Sequence, residues 1–368
     1  MKSLIFADAH AQVSAWSGRS ITGDAEFALS QIAELAVAHR VASVEGLGDL
    51  IDQQRNRSAP PKMLERFAAK LHDAEIPFGF LQGQHEADTP PWLSSVPGAH
   101  HRNGQLFELG GIKLFGLDFH PQDRLQEALV AIPPDADVLL AHQCWSEWMG
   151  DVTNPQGEFA QVPHVGCVIS GDKHQYILEQ RQGADGQAML VCSPGATCMQ
   201  AINEPSVHYV LLLSDDGSIK KIKLKSRVFV DWDVMTTKED LTRFGEQFES
   251  ELTAAMQRAA TLDLPEALMT PLLRVTYSHK LDDAMRRVAR IVGSRAHLFW
   301  KEIPPDRAEA EKRVIKTKVG EAVTPLSVLP LEVDKDSDAF ALTSRLLGTR
   351  DIDAAKAELA KYRSEFLA

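Results

Sequence analysis

Ser3-Leu4-Ile5-Phe6-Ala7-Asp8-Ala9-His10 is an apolar run that stops abruptly at two residues able to ligate a metal ion. Its first five residues read as a buried strand, and Asp8 and His10, two apart on an extended chain, share one face. The figure recurs downstream. Val41 to Val44 leads into Gly48-Asp49-Leu50-Ile51-Asp52, and Pro77 to Leu81 leads into Gly83-Gln84-His85-Glu86. Between these runs, Glu26 to His39 and Pro61 to His72 carry the helical period. The predicted order is β-α-β-α-β, with a polar cluster at the carboxyl end of every strand, which is where open α/β sheets bind ligands.

Beyond Gln105 strands dominate. They are expected over Ile112 to Leu117, Asp137 to Leu140, Val165 to Ser170, Ala188 to Cys192, Tyr209 to Leu213 and Ile219 to Leu224, with turn signals at Asp185-Gly186 and Asp216-Gly217. Two packed sheets flanked by helices, a four-layer α/β arrangement, fit this pattern best. After Lys225 the texture changes to a long helix (Lys238 to Ala260), a strand (Leu272 to Tyr277), a basic helix (Leu281 to Ile291) and another strand (Ala296 to Trp300). The expected organisation is a main domain over residues 1–225, a small α+β capping unit over 226–303, a charged, proline-bearing linker over 304–335, and helices over 336–368.

Composition narrows the function. The net charge of −12 has the wrong sign for a protein that wraps nucleic acid by itself, and residues 1–225 carry 17 Lys+Arg against 27 Asp+Glu. The acidity therefore sits in the part that holds the candidate ligands. No stretch reaches the ~18 consecutive apolar residues that a membrane helix needs, and no signal peptide is evident, so a cytoplasmic location is expected. Cys144, Cys167, Cys192 and Cys198 form no C-x-x-C pair and imply neither a disulfide framework nor a zinc ribbon.

Two more polar residues end apolar runs: His142 after Val138-Leu139-Leu140-Ala141, and Gly171-Asp172-Lys173-His174 after Cys167-Val168-Ile169-Ser170. Imidazole nitrogen with carboxylate or amide oxygen suits divalent first-row metals. Two such ions roughly 3.5 to 4 Å apart would activate a hydroxide and neutralise phosphoryl oxygens. Each member alone has a plain alternative: Asp-x-His and Gly-Asp are common, His142 would serve as a core histidine, and Asp172 as a turn residue. Their joint order carries the reading.

That order, Asp8-x-His10, Gly48-Asp49-x-x-Asp52, Gly83-Gln84-His85-Glu86, a lone His142, then Gly171-Asp172-Lys173-His174, resembles the calcineurin-like metallophosphoesterase superfamily. Within it, the chain looks most like the SbcD-type nuclease subunits, through Gly48-Asp49-Leu50-Ile51-Asp52 with Arg57 and through Ser193-Pro194-Gly195-Ala196. The resemblance is strongest over residues 1–200 and thins beyond 225. It implies a metallophosphoesterase sandwich holding two divalent ions, manganese first and magnesium second. Asp8, His10, Asp49 and His174 would hold one ion; Asp49, Gln84, His142 and Asp172 the other. His85 would assist the leaving oxygen without being a ligand, and Asp52 would support the site from behind.

Gln84 stands where the pattern has Asn and Asp172 where it has His, and both fall on the second ion, which a harder cation would then prefer. The implied activity is exo- and endonucleolytic cleavage of DNA in repair, recombination or replication. The implied partners are DNA, an SbcC-type SMC-like ABC ATPase docked on the apolar face of residues 336–368, and a second copy of the chain. Arg286, Arg287, Arg290 and Arg295, and the lysines 220, 221, 223 and 225, are candidates for phosphate contact. A stand-alone phosphodiesterase of small substrates and a metal-impaired scaffold are the competing readings.

Overall fold

Alternation within single strands explains why the chain forms layers. In the computed structural model, which describes residues 1–12, 21–51, 60–86, 91–149, 156–235, 238–277 and 282–303, β1 (Lys2–Phe6) sends Leu4 and Phe6 to one side and Ile5, with Ala7 just beyond it, to the other. Leu4 and Phe6 meet α1 (Asp24–His39) and α2 (Pro60–Asp73) through Leu29, Ile32, Leu64 and Phe67. Ile5 and Ala7 instead face the second sheet, where Leu114, Val138, Leu140 and Ile169 close the core. Successive strand residues point to opposite faces, and both faces here are covered, so the strands read as near-continuous apolar runs.

The first sheet adds β2 (Ser43–Leu47), β3 (Phe78–Leu81), β4 (Ala99–His101), β11 (Tyr209–Ser214) and β12 (Ile219–Lys223), in the order β12-β11-β1-β2-β3-β4. β1 to β4 run parallel, and β11 and β12 are antiparallel additions. The second sheet comprises β5 (Leu106–Leu109), β6 (Ile112–Leu117), β7 (Val138–His142), β8 (Cys167–Gly171), β9 (Ile177–Gln182) and β10 (Ala188–Ser193), ordered β5-β6-β7-β8-β10-β9. It too has four parallel strands, β6, β7, β8 and β10, with an antiparallel strand at each edge. On its outer face Leu139, Ala141 and Val168 pack with Leu125 and Leu129 of α3 (Gln122–Val130) and with Trp145 and Trp148, the latter in α4 (Ser146–Met149). The result is the expected two-sheet sandwich flanked by helices.

One polar pair lies inside it. Glu45 of β2 is buried, and Arg102 grips its carboxylate with two bonds of 3.2 and 3.3 Å. Burial pushes the Glu45 carboxyl up from its ordinary value, and Arg102 pulls the other way. Removing the arginine would leave an uncompensated charge beneath the strand that delivers Asp49, a loss of about 3 to 5 kcal/mol.

The chain divides into two compact units. The first takes residues 1–230, 247–274 and 292–299 and contains both large sheets. The second takes, among the described residues, those within 231–246, 275–291 and 300–303. The division falls inside β13 (Phe229–Met235), α5 (Lys238–Thr261), β14 (Leu272–Tyr277), α6 (Asp282–Val292) and β15 (His297–Glu302), and the third sheet has the order β13-β14-β15. In the first unit the end of α5 is anchored by Ala255 and Ala259 against Val228 and Leu268. In the second, Trp232 stands edge-on to Phe244 with ring centroids 4.7 Å apart, and Arg286, Arg287 and Arg290 of α6 are exposed. The linker and helices expected over 304–335 and 336–368 lie outside the described residues. No described helix is long and apolar enough to cross a membrane.

Candidate metal centre

Parallel strands put their carboxyl ends on one side, and both sheets do so at the same place. Asp8 and His10 follow β1, Asp49 follows β2, Gln84 and His85 follow β3, His142 is the last residue of β7, and Asp172 and His174 follow β8. The strand ladder continues past the strand ends through Asp8 N to Gly48 O (3.2 Å), His10 N to Asp49 O (2.9 Å) and Ala11 N to Leu50 O (2.7 Å). The seam closes through a bridge between Ala7 and Ala196 and a 2.6 Å contact between His142 Nδ1 and Leu47 O. Gly48 permits this approach, since at φ +76° a Cβ there would sit 2.5 Å from His142 Nδ1. Asp8, His10, Asp49 and Asp172 all hold left-handed φ values of 50°, 40°, 47° and 78°. Non-glycine residues so placed cluster at functional sites.

The side chains meet around Asp49. Its Oδ2 lies 3.7 Å from Nε2 of His10, 3.7 Å from Nε2 of His85 and 3.5 Å from Nε2 of His142, while its Oδ1 accepts the His85 backbone N–H at 3.0 Å. Among the described residues, three overlapping sets bring ligand atoms within 4.8 Å of one another: Asp8, His10 and His174; His10, Asp49 and His85; Asp8, Asp49 and His142. Asp8 thus stands beside ligands of both expected positions, and the His85 ring lies among the ligand atoms. Asp52 is outside the described residues.

Gln84 and Asp172, the two departures from the pattern, touch each other. The Gln84 amide nitrogen donates to Asp172 Oδ1, which turns its oxygen to His142 Nε2 at 2.9 Å. Asp172 Oδ1 itself is 3.9 Å from His142 Nε2, and the Asp172 N–H donates to Asp8 Oδ1 at 3.1 Å. The Gln84 amide spans Asp172 and His142, a pairing that sequence distance hides.

These contacts fit a cation. His142 carries a proton on Nδ1, toward Leu47 O, so its Nε2 and Gln84 Oε1 are two acceptors facing each other. Only a positive centre between them, an added ring proton or a shared ion, makes that favourable. Neighbouring ligands of an ion with bonds of ~2.1 Å lie roughly 3 Å apart. Asp8 Oδ2 and Asp172 Oδ2 are also buried with no hydrogen-bond partner, a costly placement that a cation would relieve.

The electrostatics point the same way. Burial pushes the Asp8 carboxyl up to about 7 against the pull of His174 and His142. Burial opposes ionisation of Asp49 too, but His142, His10 and His85 outweigh it and hold that carboxyl below its ordinary range. In His142 and His174 burial disfavours the charged ring. Asp49 nevertheless raises His142 well above its ordinary value, and Glu204, with Asp8, brings His174 to about 9. A divalent ion needs the ionised carboxylate and the neutral imidazole, so before binding it must displace the proton of His174 below about 9 and of Asp8 below about 7. Mn²⁺ affinity is therefore expected to rise from pH 6 to 9, by up to about tenfold per pH unit for each proton released. Calorimetric titration in buffers of different ionisation enthalpy measures this; affinity flat across that range would contradict it.

Two acidic residues escaped the sequence reading. Glu86 is buried and clamps both loops, accepting Ile51 N at 2.7 Å and Gly83 N at 3.1 Å; burial, then Asp49, pushes its carboxyl up to about 8. Glu204 accepts from His174 Nδ1 at 2.7 Å. The Glu that follows Gly83-Gln84-His85 was a signal for the first, while nothing near Glu204 marks it. His120 joins none of the ligand sets and bonds instead to the Asp118 carbonyl and Gln143. His101 sits in β4, stacked on Phe80 and bonded to Asp118 at 2.8 Å, and takes no part in the ligand sets. Lys221 is spent over the rings of Tyr176 and Tyr209, and Arg295 on Glu249.

No protein-family model matches the chain, and no curated protein does. Among solved structures it is similar to a dimetal phosphatase from Danio rerio, at 14% identity over 61% of this chain and 98% of that one, with a TM-score of 0.42. It is also similar to a purple acid phosphatase from yellow lupin (Lupinus luteus) seeds, at 13% identity over 60% and 52% of the two chains, with a TM-score of 0.34.

Proposed function

We propose that the chain is a two-metal phosphodiesterase whose substrate is DNA. The observation that carries the phosphoesterase reading is the Asp49 carboxylate oxygen faced at 3.5 to 3.7 Å by imidazoles from three strand ends, with Asp8, His174, Gln84 and Asp172 around it. Asp8, His10 and His174 would hold one ion, with Asp49 shared, and Gln84, His142 and Asp172 the other. Bound there, the ions would supply charge for the phosphoryl oxygens and an activated water. Mn²⁺ or Mg²⁺ suits the oxygen-rich second position.

The protein's own groups do the rest. Asp49 orients His85 by accepting its backbone N–H. The His85 and His174 side chains are each 28% exposed where those of His10 and His142 are covered; Glu204 holds His174 through Nδ1 as a ligand, and His85 would be the imidazole that passes a proton to the leaving oxygen. Glu86 keeps the two loops in register.

DNA as substrate, and an SMC-like ABC ATPase as partner engaging residues 336–368, rest on the sequence resemblance. The acidic chain would then borrow part of its DNA affinity from that partner or from a second copy. Manganese-dependent turnover of linear duplex DNA, bis(p-nitrophenyl) phosphate and p-nitrophenyl phosphate, compared in one assay, tests the reading. Cleavage of DNA and the diester is expected. Diester cleavage without DNA cleavage would select a small-substrate enzyme, and a chain inert on all three would be a scaffold.

A further inference from the structure

Glu204 lies in the loop after β10, outside every sequence motif, yet both of its carboxylate oxygens are committed. Oε1 accepts from His174 Nδ1 at 2.7 Å, and Oε2 accepts from the Gln200 backbone N–H at 2.6 Å. The loop is further closed by Glu204 N donating to Ala201 O at 3.1 Å, and the Gln200 side chain reaches toward Asp8 O at 3.5 Å. The carboxylate therefore cannot swing away from the ring without breaking its own loop.

A neutral imidazole shares its proton between two nitrogens unless a partner decides. With Glu204 accepting at Nδ1, the proton is fixed there and the Nε2 lone pair is delivered to the centre. That nitrogen lies 3.3 Å from His10 Nε2 and 4.0 Å from Asp8 Oδ1. A carboxylate behind a ligating imidazole also makes the ring a stronger donor.

Resting on the reading that this centre binds divalent ions, we infer that Glu204 is a positioning residue for the ion held by Asp8, His10 and His174. It sets the tautomer and direction of His174 and so favours that position over the one at His142. His142 has only the neutral carbonyl of Leu47 behind it. The two ions are thus held by differently backed imidazoles.

The test is Mn²⁺ titration of the full chain, by calorimetry and electron paramagnetic resonance, for wild type, Glu204→Gln and Glu204→Ala. Circular dichroism and thermal unfolding check that each variant is folded, and ¹⁵N-histidine spectra report the tautomers. Glu204→Ala is expected to weaken one Mn²⁺ by about 10- to 100-fold, to leave the other within about threefold, and to erase one Nδ1–H histidine signature. Glu204→Gln keeps an acceptor oxygen without the charge and should fall between. Two ions bound by Glu204→Ala as tightly as by wild type would overturn the inference while leaving the metal reading intact. So would an equal loss at both positions with lowered thermal stability, which would make Glu204 a structural prop. A wild-type chain that takes up no Mn²⁺ overturns both.

Discussion

Asp49→Asn is expected to lower the proposed phosphodiester cleavage on the order of 10⁴-fold, the scale seen when one member of an interdependent catalytic set is removed. The residue has no redundancy. A single oxygen, Oδ2, faces His10, His85 and His142, and the other oxygen fixes the His85 backbone. An amide keeps the shape and tolerates the φ of 47°, because Asn adopts left-handed backbone about as readily as Asp. It loses the charge, and one of its two heteroatoms becomes a donor aimed at cations. Both ions should weaken together, read as Mn²⁺ stoichiometry alongside turnover of bis(p-nitrophenyl) phosphate. Loss of one ion with the second unaffected would show that Asp49 serves a single position.

His85→Ala is expected to cost about 10²- to 10⁴-fold in turnover, the range for a general acid, with Mn²⁺ content unchanged. The competing role is visible in the geometry. The His85 ring stands edge-on to His10 with centroids 5.1 Å apart, and its Nε2 is as near to Asp49 as that of His10. Exposure separates it from His10, His142 and Asp49, which are sealed, and from His174, equally exposed, it differs in lacking the Glu204 carboxylate that fixes that ring as a ligand. If the variant lost an ion along with its activity, His85 would be a ligand and the leaving oxygen would need another proton source.

Much of this architecture is legible because buried parallel strands write themselves plainly. Ile112–Leu117 and Leu272–Tyr277 match their apolar runs residue for residue, and Asp8, His10, Asp49, Gln84, His85, His142, Asp172 and His174, which follow such runs, land at the seam. Elements without an apolar signature were not legible. β9 (Ile177–Gln182) is an edge strand reading Ile-Leu-Glu-Gln-Arg-Gln, and β4 has three residues, two of them histidine. Helix α1 starts at Gly23, whose φ of 93° provides the turn with no side-chain cap, so no capping signal marks its start. At the site, ligand candidates were readable because each ends a strand. Their supports were not: the Gln84–Asp172 bond spans 88 residues and the His174–Glu204 pair 30, and no local pattern encodes a contact made by folding.

The left-handed backbone at Asp8, His10, Asp49 and Asp172 sets this centre against the durability of the molecule. Each such residue costs roughly 1 kcal/mol or more that glycine would not. A laboratory selection for heat resistance alone should therefore be drawn to these four positions as well as to Arg40, Glu75 and Asp263, which hold the same backbone outside the centre. The variants it enriched at the four would be tougher proteins with a dismantled centre, and requiring turnover during the same selection would hold those strained residues in place.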